Sequence, residues 1–294
     1  MIFDTHAHYD SRQFDEDRAK ILELIHTTGI CINGNSVPVG KLVNVGADME
    51  SSHTTLALAD TYDFIYAAVG VHPDSAGELI WSSEKCQESD TEISEEGCNR
   101  NRKILRELAK KEKVVAIGEI GLDYHWDIWP RDIQKEAFRW QWKLAEELKL
   151  PVIVHSRDAA EDTLNMVRSL YSGIDKDRRP DKVYKVPAVM HCYSYSPEHA
   201  EEYLKMGLMF GIGGVVTFKN ARKLKEVVDM LPMDRILLET DCPYMAPDPF
   251  RGKRNNSGYL TYVAEKISEI KGLDVKTVYD MTCENAERFF GLDE

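Results

Sequence analysis

The chain has 294 residues, of which 43% are hydrophobic and 30% charged, and a formal net charge of −13. Such a composition suits an ordinary globular protein, and the acidic balance argues against one that coats nucleic acid non-specifically, though not against an enzyme gripping a single strand end. No apolar run reaches the roughly 18–20 residues of a membrane helix, and no basic-then-apolar leader is visible. The six cysteines (31, 86, 98, 192, 242 and 283) form no CxxC pair, so reduced thiols, a cytoplasmic location and no membrane association are expected.

In chain order, short β-branched runs alternate with amphipathic stretches. A strand is expected at Ile2–Thr5, a helix at Asp15–Thr27, a strand at Lys41–Val45 and a helix at Ser51–Thr61. The strand Ile65–Gly70 precedes the helix Cys98–Lys110, and Val114–Gly118 precedes Ile133–Leu148. The same pairing recurs at Pro151–Val154 with Ala159–Ser169, and at Val186–Met190 with Pro197–Lys205. It closes with Leu208–Ile212 before Lys219–Met230, and Ile236–Glu239 before Tyr259–Lys271 and Asp274–Phe289. Eight strands, each followed by a helix, predict an α/β fold of the (β/α)₈ TIM-like barrel type. The rival is an open doubly wound sheet, but no GxGxxG or Walker string favours it. One domain spanning 1–294 is expected, with inserted loops near 33–40, 81–97 and 172–185.

Ionisable residues collect at the ends of these strands. The first ends in His6 and His8, whose i, i+2 spacing sends both imidazoles to one side of an extended chain. The fourth ends in Glu119 and Asp123, the fifth in His155 and Arg157, the sixth in His191, and the eighth in Glu239 and Asp241. In a closed barrel these ends share one mouth, where βα loops carry catalytic groups. Each residue alone has a structural alternative: a hydrogen-bonded histidine, a helix-capping Asp241, an ion-paired Glu119. Together, the four histidines with Glu119 and Asp241 point to a metal site with mixed nitrogen and oxygen donors.

Glu119 has two oxygens and is expected to bridge two ions about 3.5–4 Å apart. One ion would take His6, His8 and Asp241, the other His155 and His191, and Asp241 is also placed to accept a proton from the attacking water. Glu239, two residues before Asp241, is expected to hold a ligand from behind. Cys192 and Cys242, each adjacent to a ligand, are expected to pack on the opposite face. His72 is read as orienting phosphate or substrate or as a turn residue, His125 as a phosphate contact, Tyr124 or Trp126 as a base-stacking surface, and Arg157 as a phosphate fork, with Arg251 and Arg254 farther out.

These strings resemble the TatD-type deoxyribonuclease family, within the amidohydrolase-like TIM-barrel superfamily. The resemblance is carried by Phe3-Asp4-Thr5-His6-Ala7-His8, Val69-Gly70-Val71-His72-Pro73 and Gly118-Glu119-Ile120-Gly121-Leu122-Asp123-Tyr124. It continues through His155-Ser156-Arg157, His191-Cys192-Tyr193, Gly214 to Asn220, Glu239-Thr240-Asp241-Cys242-Pro243-Tyr244 and Arg251-Gly252-Lys253-Arg254-Asn255. The chain departs from the family pattern at Asn256-Ser257, where Glu-Pro is usual, and at Tyr193-Ser194-Tyr195, where Phe-Ser-Gly is common.

What the resemblance implies is a metal-dependent 3′→5′ exodeoxyribonuclease acting on DNA strand ends; a monomer is the default expectation for the chain. Its ligands fall on His6, His8, Glu119, His155, His191 and Asp241, with Glu119 and Asp241 catalytic. Two divalent cations are expected, Mg²⁺ first, with Mn²⁺ or Zn²⁺ as alternatives. The rival activity is that of a small-molecule amidohydrolase or lactonase, whose relatives often bridge their metals with a modified lysine near the fourth strand, where this chain has Glu119. A non-catalytic scaffold would have no chemical use for all six groups.

Overall fold

The computed structural model describes residues 1–32, 35–81, 94–172 and 186–292. A sheet of 8 strands runs in chain order. Its strands are β1 (Ile2–Ala7), β2 (Val39–Val45), β3 (Ile65–Val69), β4 (Val114–Asp123), β5 (Val152–Arg157), β6 (Ala188–Met190), β7 (Met209–Ile212) and β8 (Ile236–Leu238). The pairs β1/β2, β3/β4, β4/β5, β6/β7 and β7/β8 are parallel. Just beyond the last strand, Cys242 forms a parallel bridge to Ala7. With helices between successive strands, this is a TIM-barrel-like fold, and the ionisable residues of the sequence lie toward the C-terminal ends of its strands.

The helices are α1 (Arg18–Thr27), α2 (Met49–Thr61), α3 (Glu95–Leu108), α4 (Arg131–Leu148), α5 (Ala160–Ser172), α6 (Pro197–Met206), α7 (Arg222–Met230), α8 (Leu260–Lys271) and α9 (Val275–Phe290). None among the described residues is long and apolar enough to cross a membrane. Of the expected insertions, 82–93 and 173–185 lie outside the described residues, as do 33–34. Asn35–Ser36 pairs antiparallel with Cys31–Ile32. Helix α3 starts at Glu95, inside the stretch expected to be a loop, because Ser94 caps the amide of Gly97 at 3.0 Å and Glu95 and Glu96 favour the first turn.

The chain divides into two compact units. The first comprises 1–44, 58–66 and 189–294. Here α9 is capped by Asp274, which accepts from the amides of Lys276 and Thr277, and ends at Gly291 with φ 68°. Its apolar face buries Val278, Ala286, Phe289 and Phe290 at helical spacing, and the Phe290 ring meets Phe3 of β1 at 5.8 Å. Asn285 donates to the carbonyls of Met233 and Ile236, tying the helix to the start of β8.

The second unit comprises 45–57 and 67–188. Strand β4 is buried along its whole length, and it runs five residues past Gly118, where the sequence suggested an end. Gly121 explains the extension. A side chain there would meet the carbonyl oxygen of His155 at 1.9 Å, and its φ of 153° suits glycine, so the absent Cβ lets β4 and β5 stay paired to Asp123↔Arg157. Helix α4 buries Phe138, Trp142 and Leu144. It also buries two glutamines that grip backbone: Gln141 pairs with both N–H and C=O of Val71, and Gln134 with both of Asp123. Each satisfies a buried peptide group that no strand pairs.

Candidate metal centre

In the first unit, β1 places His6 in the core and His8 at its exit. The alternation holds, and their Nε2 atoms stand 3.1 Å apart. The segment after β8 is stitched to β1 by Asp241 N–H on the His6 carbonyl (2.9 Å) and His8 N–H on the Cys242 carbonyl (2.8 Å). Asp241 has φ 56°, a turn that leaves its Oδ1 at 3.4 Å from His8 Nε2, 3.9 Å from His6 Nε2 and 3.8 Å from His191 Nε2. Burial alone would raise the Asp241 pKa; the hydrogen bond from His8 and the nearness of His191 and His6 outweigh it and hold the carboxyl below the ordinary value.

The His191 ring stacks on His6 with centroids 3.5 Å apart. Behind it, Glu239 Oε2 lies 3.1 Å from His191 Nδ1, and Oε1 accepts the amide of Cys192. Gly211 on β7 makes room for this carboxylate, since a Cβ there would fall 2.0 Å from Glu239 Oε2.

Donors sharing a tetrahedral ion at about 2.0–2.1 Å lie about 3.4 Å from one another. The spacings among His6, His8 and Asp241 bracket that edge length, and ligand atoms of the three fall within 4.8 Å of one another. The donor set therefore fits a divalent cation. Cys192 departs from expectation. Because β6 ends at Met190, strand alternation no longer governs it. With φ 44° its sulfur lies within 4.8 Å of ligand atoms of His191 and Asp241. Cys242 is fully buried, as a packing residue would be.

Asp4, also on β1, is a fully buried carboxylate that the sequence did not single out. It accepts from Thr240 N–H (3.0 Å), Thr240 Oγ1 (2.6 Å) and His6 N–H (3.3 Å), bracing both metal-facing segments. Burial dominates these bonds and raises its pKa from 3.8 to about 6. The folded state therefore holds this proton more tightly than the unfolded chain. The group's contribution to stability is greatest below the unfolded pKa and falls as pH rises through about 6, by about 3 kcal/mol in all. Urea unfolding of chelator-treated protein between pH 4 and 7 should show this decline in wild type and not in Asp4→Asn. Parallel curves would refute the assignment.

In the second unit, His155 is held at both nitrogens: Glu119 Oε1 lies 2.7 Å from Nδ1 and Asp123 Oδ2 3.0 Å from Nε2. The His72 ring meets His155 edge-on at 4.2 Å, and ligand atoms of His72, Asp123 and His155 lie within 4.8 Å of one another. His72 also starts the turn at Pro73, its Nδ1 accepting the Asp74 amide at 3.2 Å. Burial raises the Asp123 pKa, but the bonds from His155 and from the amides of Trp126 and His125 prevail and bring it to about 2. The role of Asp123 was legible in principle. Residues 119, 121 and 123 share one face of an extended strand, so Asp123 had to follow Glu119 toward His155.

The other polar residues are placed as follows. Tyr124 donates to Asp162 at 2.6 Å beneath the Arg131 guanidinium, which anchors it to neighbouring helices. His125 faces Asp158 at 3.1 Å. Trp126 is 61% exposed, with the Arg157 guanidinium 5.6 Å from its ring. Arg251 lies over Phe218 at 4.3 Å. Arg254 forks onto Asp17 at 2.6 and 2.8 Å and onto the Gln13 carbonyl, so both terminal nitrogens of its guanidinium bond within the fold. At the departure from the family pattern, Asn256 caps the amide of Gly258 and Ser257 bonds the buried Tyr9 hydroxyl.

A model of the TatD related DNase family matches residues 3–291. The chain is 41% identical over 293 residues, all of both sequences, to an uncharacterized metal-dependent hydrolase, YabD, of Bacillus subtilis. It is 31% identical to the 3′-5′ ssDNA/RNA exonuclease TatD of a Rahnella species, covering 99% of this chain and 98% of that one. The crystal structure of a TatD homologue from Escherichia coli K12 superposes with a TM-score of 0.78 at 29% identity, covering 99% of this chain and 98% of that one. With its barrel and its histidine–carboxylate groups, the chain belongs to the TatD family of metal-dependent hydrolases.

Proposed function

We propose that the protein hydrolyses phosphodiester bonds at the 3′ ends of single-stranded DNA, with two divalent cations (Mg²⁺, Mn²⁺ or Zn²⁺) as cofactors. The observation that carries this reading is the convergence of His6, His8 and Asp241 at donor spacings suited to a cation. The full-length similarity to a relative described as a 3′-5′ ssDNA/RNA exonuclease supports the substrate class. In this reading His6, His8 and Asp241 would hold one ion and His155 and His191 the other, with Glu119 as a further carboxylate ligand. When bound, the ions neutralise charge on the attacking and leaving oxygens of the displacement.

The chain's own groups do the rest. Asp241, kept ionised at neutral pH, accepts the proton of the attacking water. Glu239 places its carboxylate charge 3.1 Å behind His191 Nδ1, which favours Nε2 as the nitrogen turned to the ion. Arg157, exposed beside Trp126, grips a non-bridging phosphate oxygen pair with its planar fork, while the open Trp126 face accepts a base. Tyr124 is not free for stacking, because its hydroxyl and ring are both engaged.

The test is 5′-end-labelled single-stranded and duplex DNA incubated with Mg²⁺ or Mn²⁺, then with chelator. A metal-dependent ladder shortening from the 3′ end is expected. No nucleotide release under any metal condition defeats the nuclease reading, and turnover of amides or lactones in a parallel screen would replace it. In the same assay Arg157→Ala should raise KM on the order of 10-fold, as loss of a charged hydrogen bond does, with metal content unchanged. Loss of metal from that variant would contradict a role in gripping substrate.

A further inference from the structure

We infer that Asp123 is a positioning residue, which holds the proton of His155 on Nε2 and so leaves Nδ1 as the nitrogen that binds the ion. The inference rests on the metal-dependent reading above and adds to it a residue outside the six ligands. A neutral imidazole carries one proton, and a ligating nitrogen carries none, so the acceptor facing the other nitrogen chooses the tautomer. At His155 both nitrogens face carboxylates. Nδ1 faces Glu119, itself assigned to the ions. The proton must then sit on Nε2, where Asp123 Oδ2 receives it at 3.0 Å.

Asp123 is built for this task. It is buried, and its Oδ1 accepts the amides of His125 and Trp126, both at 2.9 Å, which aims Oδ2 at the imidazole. Its own backbone is gripped on both sides by the Gln134 side chain. With Oδ1 engaged by two N–H donors, Oδ2 is the oxygen turned to His155. Glu239 also lies close behind an imidazole, with Oε2 3.1 Å from His191 Nδ1.

The decisive variant is Asp123→Asn. Its oxygen can still accept the two loop amides, but its NH₂ then faces Nε2 and donates to it, which drives the imidazole proton onto Nδ1, the wrong tautomer for binding. Mn²⁺ titration calorimetry on chelator-stripped wild type, Asp123→Asn and Asp123→Ala is the test. Affinity at the His155 ion should fall about 10–100-fold, and Asp123→Asn should lose at least as much as Asp123→Ala. A merely structural role predicts the reverse order, with Asp123→Asn close to wild type, and that result overturns the inference.

A second readout uses ¹¹³Cd-loaded protein with ¹⁵N-labelled histidine. Coupling from the metal to Nδ1 of His155 is expected, and coupling to Nε2 overturns the inference whatever the affinities. Two bound ions without nuclease activity would defeat only the substrate reading. A wild-type protein that binds no divalent ion would defeat both.

Discussion

Glu119→Ala is expected to lower hydrolytic turnover on the order of 10³-fold while the barrel stays folded. The residue lies inside β4, almost wholly buried, with Oε1 on His155 Nδ1. As a further ligand it would hold charge against the cations. Losing it removes several kcal/mol of the electrostatic stabilisation such ions give a phosphodiester transition state, and about 1.4 kcal/mol corresponds to each factor of ten. The fold should survive because the β4/β5 register rests on backbone pairing and on Gly121, neither of which the substitution touches. Steady-state kinetics on labelled DNA, metal analysis and far-UV circular dichroism together check this. Wild-type turnover in the variant would remove Glu119 from the site.

Asp241→Ala should be nearly as severe, with kcat down by about 10³-fold and binding of one ion lost. His6, His8 and His191 all face its Oδ1, at 3.4 to 3.9 Å. Without it the first group is left with imidazoles alone. The proposed proton acceptor also disappears, and acid–base groups of this kind contribute about 10²–10⁴-fold. Because the loss falls on a ligand and on the chemical step together, kcat should drop far more than KM rises. A variant with unchanged kcat and full metal content would show that Asp241 only shapes the turn after β8.

The barrel was legible because buried parallel strands read as short apolar runs and each is separated from the next by a helical pattern. All eight expected strands overlap observed ones. What the sequence concealed was where strands end. Gly118 and Gly121 look like punctuation, yet Gly121 is there so that His155 can approach, and β4 continues through Asp123. The consequence for the site is direct: stopping the strand early hid the alignment of Glu119 with Asp123 on either side of His155.

The surroundings of Arg254 and of Cys192 were hidden for another reason. Arg254 sits in a basic string that suggests phosphate, but its partner, Asp17, is 237 positions away and only the fold brings it near. Cys192 escaped the alternation rule because positive φ after β6 re-aims the side chain. The buried glutamines of α4 were likewise silent in the sequence, since their partners are peptide groups, which any residue supplies.

The most direct test of two cations bound by these six groups is anomalous diffraction from crystals grown with Mn²⁺. Two strong peaks are expected, one ligated by His6, His8 and Asp241 and one by His191 and by His155 through Nδ1, with Glu119 as a further ligand. Saturating Mn²⁺ that leaves these residues without a peak, or that places manganese only elsewhere on the molecule, would contradict that expectation.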